Sequence, residues 1–175
     1  AIQRMTLPVF FRLLYSSGMR TTEAILLERD DVNLENGVVS IKRGKGYDQH
    51  YAVLHDTMLD LMRTYDGRMD ELVPNRRVFF PTPDDKPHPP AWVTYHFRVL
   101  WQSCNSSHAI PYELRHNYAI ENINSWTHQG FAVHDKLLAL SKSMGHRQIG
   151  STLAYYSLTP AISDIMACTD NEINQ

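Results

Sequence analysis

The sequence predicts a mainly α-helical fold with a small antiparallel β-sheet, an α+β domain. Three observations predict it. Apolar residues recur at i, i+3 and i+4 through most of the chain, the spacing of one buried helix face. Strand-like runs are few and short: 38–41, 51–54 and 78–80. The length, 175 residues, suits one domain with a sizeable core.

Residues 6–17 read as a helix, with Thr6 as cap, Pro8 near the first turn and a stripe of Val9, Phe10, Leu13 and Leu14. Ser16-Ser17-Gly18 stops it. Thr21 or Thr22 then caps a second helix holding Glu23 to Leu27, so Arg20 stands at the junction. Asn36-Gly37 signals a turn, Val38–Ile41 a strand and Tyr51–Leu54 its partner, with Lys42-Arg43-Gly44-Lys45-Gly46-Tyr47 as the hairpin tip. Asp56 caps a helix running to Arg68, with Met58, Leu59, Leu61 and Met62 apolar. Val78-Phe79-Phe80 reads as a short buried strand, and the proline-rich stretch 81–90 as a loop. Residues 91–103 form a helix carrying Trp92, Tyr95, Phe97, Val99, Leu100 and Trp101, with Arg98 in it. Pro111 fixes the entry to a helix that begins at Tyr112 and places Tyr112 and Arg115 on one face of its first turn. Residues 134–143 are helical, with Val133, Leu137, Leu138 and Leu140 inward; Gly145 breaks that helix and presents His146. Ser151-Thr152 opens a short helix that carries Tyr155, and a last apolar helix spans about 160–168.

Composition excludes several classes. No apolar run is long enough to span a bilayer, and no signal peptide opens the chain. Cys104 and Cys168 form neither a CxxC nor a metal-ligand spacing, so a reducing, cytoplasmic setting is the simpler reading. Nine histidines invite a metal, but no HExxH or paired His/Cys motif accompanies them, so neither metal nor cofactor is expected. The glycines round Lys45 lack the GxxxxGK[ST] phosphate-loop pattern. Net charge is −2, which argues against a nucleic-acid binder taken alone. The charges are segregated, however, with bases at Lys42-Arg43-Lys45, Arg76-Arg77, Arg115-His116 and Lys142-His146-Arg147. Such a pattern can give a near-neutral protein one positive face.

The stretch from Met144 to Tyr156 ends in paired tyrosines. A phenol titrates near pH ~10 and attacks poorly unless other groups stabilise the charge its attack creates. Arg20, Lys45, and Arg115 with His116 are the cations available for that. Each also has a plainer reading: Arg20 as a surface arginine paired with Glu23, Lys45 as a solvated loop lysine, Arg115 as the partner of an acid.

Together, in this order, these segments resemble the catalytic domain of tyrosine recombinases, the phage-integrase family, over nearly the whole chain. Leu14-Tyr15-Ser16-Ser17-Gly18-Met19-Arg20-Thr21-Thr22-Glu23 is similar to the family's first motif, Gly44-Lys45-Gly46 to its mobile hairpin, Leu114-Arg115-His116 to its His-x-Leu-Arg-His box, and Gly145-His146 to its Gly-His. The resemblance implies that Arg20 and Arg115 clamp a DNA phosphate, Lys45 protonates the leaving oxygen, and His146 bonds the phosphate or helps take the tyrosine proton. Tyr155 lies nine residues after His146, the family's spacing for the nucleophile, with Tyr156 as runner-up. Tyr112 departs from the pattern, standing where the box has its first histidine. A phenol can hydrogen-bond a phosphate oxygen but brings no positive charge, so reduced activity is an implication.

The function implied is site-specific DNA recombination or integration through a 3′-phosphotyrosyl intermediate, without metal. Alternatives are a catalytically weak DNA-binding module of the same descent, or a topoisomerase IB-like strand transferase. The start at Ala1-Ile2-Gln3-Arg4 reads as a cut within a longer protein. The whole chain, 1–175, is then a catalytic domain without the family's N-terminal core-binding domain. The expected partner is double-stranded DNA, with a tetramer on DNA for the full-length protein and a monomer for the isolated fragment.

Overall fold

A computed structural model describes residues 2–42, 49–126, 132–146 and 148–156. Seven α-helices and one three-stranded sheet occur among them: α1 (Ile2–Ser17), α2 (Thr21–Ile25), β1 (Val32–Asn33), β2 (Val38–Ile41), β3 (His50–Val53), α3 (Asp56–Leu72), α4 (Pro90–Cys104), α5 (Glu113–Asn124), α6 (Ala132–Ser143) and α7 (Gly150–Tyr156). The strands are antiparallel in the order β1-β2-β3, with Val39 opposite both Val32 and Ala52, and Ile41 opposite His50. The mainly α fold with a small antiparallel sheet is therefore present. Lys45 and the helix expected at 160–168 lie outside the described residues.

Two apolar clusters hold the described residues together. The larger unites Val9, Phe10, Leu13 and Leu14 of α1 with Met58, Met62 and Met69 of α3, the inner face of the sheet, and Phe79 and Phe80. The smaller joins Ala119 and Ile123 of α5 to Leu137, Leu140, Met144 and Tyr155. The candidate site lies where they meet.

Several boundaries differ from the sequence reading. α1 begins at Ile2 and runs through Pro8, because Ile2 and Met5 pack on the large cluster and offset the missing backbone donor. Thr6 is therefore no cap; its hydroxyl bonds the Ile2 carbonyl and the Tyr65 hydroxyl. Asp56 does not cap α3; His55 does, its Nδ1 accepting from the Thr57 amide. α2 is preceded by Arg20 rather than capped by Thr21 or Thr22. Residues 78–80 are buried but form no strand, only an isolated bridge from Val78 to Glu28. The stretch serves to plug two phenylalanines into the core. Leu138 is exposed, unlike Leu137 and Leu140.

Candidate active site

The turn between α6 and α7 gathers the site. Gly145 takes φ +63°, a left-handed conformation that glycine tolerates at a helix C-terminus. Its amide bonds the Lys142 carbonyl, and the His146 amide the Ser141 carbonyl. The carbonyls of this turn face inward and are met by two arginines from distant segments. Arg115 Nη2 donates to the Met144 carbonyl at 2.7 Å, and Arg20 Nη2 to the Gly145 carbonyl at 3.1 Å.

Arg115 is almost wholly buried at 2% exposure. Its Nη1 donates to the Gly18 carbonyl at 2.6 Å, in the turn between α1 and α2, and its Nη2 lies 2.9 Å from His146 Nε2. Burial, then the neighbouring Arg20 charge, lowers its pKa. Its Nε is buried, with no hydrogen-bond partner among the described residues. Arg20 is held from below by Glu23, whose carboxylate accepts from the Arg20 amide at 2.7 Å and from Nη1 at 2.5 Å. That pairing is one the sequence suggests as a surface contact. Here the Glu23 side chain is fully buried and the Arg20 side chain is only 23% exposed, so the pair aims Arg20 at the turn.

His146 is bonded on both nitrogens: Nε2 meets Arg115 and Nδ1 meets the Thr152 hydroxyl at 2.7 Å. A guanidinium only donates. Nε2 is therefore the acceptor, and the proton sits on Nδ1. Burial and then Arg115, Arg20 and His50 push the His146 pKa down to about 4, so the ring is neutral at neutral pH.

Tyr155, on α7, is 6% exposed. Its ring stacks near His146 at 6.3 Å between centroids and lies 5.2 Å from that of His116. Burial raises the phenol's pKa, with Tyr112 adding to the rise and Arg115 opposing it. Tyr112, half exposed, sits against His116 at 4.7 Å. Arg20, Tyr112, Arg115, His146 and Tyr155 are thus brought together. Lys45 lies outside the described residues.

Sequence reasoning missed His50 and Thr152, and undervalued Glu23. His50 alternates inward with Ala52 along β3, and that period-2 signal could have flagged it. Other basic residues serve the scaffold: Arg76 is buried between Asp66 and Asp70, Arg77 pairs with Glu28, and Lys42 with Asp31. Arg98 lies 6.0 Å over the Tyr95 ring. Among the described residues no helix is long and apolar enough to cross a membrane.

The model of the phage integrase family matches residues 1–161. Tyrosine recombinase XerD of Staphylococcus haemolyticus is 28% identical over 147 residues, covering 82% of this chain and 47% of its own. Tyrosine recombinase XerA of Thermococcus kodakarensis is 27% identical over 152 residues, covering 84% and 49%. Among solved structures, XerA recombinase superposes with a TM-score of 0.76 at 16% identity, covering 95% of this chain and 59% of that one. XerH bound to its difH substrate gives 0.72 at 20% identity, covering 89% and 44%. The chain spans about half the length of the curated relatives it matches.

Proposed function

From the premise that this chain belongs to the phage integrase family, we propose that it is the catalytic domain of a site-specific DNA recombinase. The observation that carries this reading is the convergence of Arg20, Arg115, His146 and Tyr155 on one turn. Its chemistry suits a phosphodiester. Attack by the Tyr155 hydroxyl builds negative charge on the equatorial oxygens of phosphorus, and two guanidiniums stabilise it with paired N–H donors. The phosphorus–O5′ bond breaks, the 3′-phosphate stays on Tyr155, and the 5′-hydroxyl leaves with a proton from Lys45. The phenol's proton goes to the neutral His146, whose Nε2 accepts it once Arg115 Nη2 turns from it to the phosphate. The tyrosyl ester conserves the bond, so another strand's 5′-hydroxyl reverses the step without ATP. Tyr112 donates a hydrogen bond to a phosphate oxygen.

Duplex DNA is the substrate in this reading, as difH is for XerH. A duplex carrying a nick just 3′ of the scissile phosphate tests it, because the cut fragment diffuses away and traps the covalent protein. The full-length wild type is expected to form an adduct in EDTA, and Tyr155→Phe none. An adduct that needs a divalent metal, or one that persists in Tyr155→Phe, contradicts the mechanism.

A second reading is a DNA-binding module with weak catalysis. Tyr155 favours it by being buried with a raised pKa, as does Tyr112 in a histidine's place. It expects duplex binding and no adduct from wild type.

A further inference from the structure

His50 is a buried side chain that the proposed chemistry leaves without a task. It is 7% exposed. It pairs with Ile41, and so stands at the root of the hairpin whose sequence holds Lys45. Its ring fills the space that a side chain at Gly145 would need: a Cβ there would lie 2.6 Å from His50 Cε1, 2.7 Å from Nδ1 and 2.9 Å from Nε2. The same Nε2 lies 3.9 Å from Glu23 Oε2. One imidazole therefore adjoins the hairpin root, the acid that aims Arg20, and the glycine whose carbonyl Arg20 meets.

Resting on the recombinase reading, we infer that His50 is a positioning residue for strand cleavage. It holds the Glu23 carboxylate and the Gly145 peptide so that Arg20 and His146 face one phosphate. Glu23 is fully buried, and among the described residues the two hydrogen bonds to its oxygens both come from Arg20. A buried carboxylate favours further donors, and His50 Nε2 faces it at 3.9 Å, too far for a hydrogen bond in this structure but within reach of one after a shift of about 1 Å. The ring also fixes the turn sterically. If it moves, the Gly145 peptide gains room, and the Arg20 contact of 3.1 Å has no backing. Loss of donor and loss of volume are separable by substitution.

The test uses the full-length protein and the nicked duplex, measuring single-turnover cleavage, duplex affinity and melting temperature for each variant. His50→Leu fills the space without a donor; it is expected to cleave up to about 100-fold more slowly, the scale of a small misplacement of reacting groups, with affinity and melting unchanged. His50→Gln keeps an N–H toward Glu23 and is expected to recover most of the rate. His50→Gly is expected to regain rate when imidazole is added, which keeps the test open if His50→Leu does not fold. Wild-type cleavage by His50→Leu, equal loss in Leu and Gln variants, loss that follows affinity or melting, or no imidazole rescue each overturns the inference. A wild type that forms no adduct overturns the recombinase reading beneath it instead.

Discussion

His146 sits among Arg115, Arg20 and His50 and stays neutral. Burial and those neighbours hold its pKa near 4, against an ordinary 6.5. Between those values the unfolded chain binds the proton that the folded one refuses. Stability therefore rises with pH across the window. The contribution is complete above the unfolded value and is lost as pH falls toward the folded one. Melting temperature should fall more steeply with acid in wild type than in His146→Gln over this range. His88, also lowered by burial, is present in both proteins and cancels in the comparison. Equal slopes would contradict the assignment. The residue scale also shows what a sequence carries. Arg20, Arg115, His146 and Tyr155 were legible because each stands in a recognisable local setting. Glu23, His50 and Thr152 were not, because their importance is burial against segments far along the chain. Thr152 is fully buried, yet in sequence it is one more helix-starting hydroxyl.

The turn between α1 and α2 has two tasks at the scale of elements. It reverses the chain so that Arg20 precedes α2, and it offers the Gly18 carbonyl to Arg115. Gly18 has φ +63°, and a Cβ there would overlap the Tyr118 ring of α5. Gly18→Ala should cost about 1–3 kcal/mol by overpacking alone, more with the strained φ, and should slow cleavage by shifting the acceptor of Arg115. Urea denaturation reads the first effect; an unchanged midpoint would contradict the packing described. Helices were legible wherever an apolar stripe ran at helical period, as in α3 and α4. Boundaries were less so. Pro8 is a local stop signal, but the packing of Ile2 and Met5 overrides it. Phe79 and Phe80 look strand-like, yet with only one bridge nearby their burial comes from ring contacts with Phe10 and Tyr65.

At the scale of the whole molecule, the site lies between two apolar clusters, each supplying part of it. Arg20 and Glu23 come from the side of the large cluster, and Tyr155 belongs to the small one. Tyr155 is 6% exposed, and α7, which carries it, packs on α5 and α6. We propose a tetramer on DNA for the full-length protein and a monomer for this domain alone. Light scattering of each, with and without duplex, is expected to give those masses; a full-length protein that stays monomeric on DNA would contradict it. The central claim is that one phosphate is surrounded by Arg20, Arg115, His146 and the Tyr155 hydroxyl. Peptide mapping by mass spectrometry of the adduct trapped on nicked DNA tests it most directly. The account predicts a DNA 3′-phosphate esterified to Tyr155; the same phosphate on Tyr156, or on no tyrosine of this chain, would contradict it.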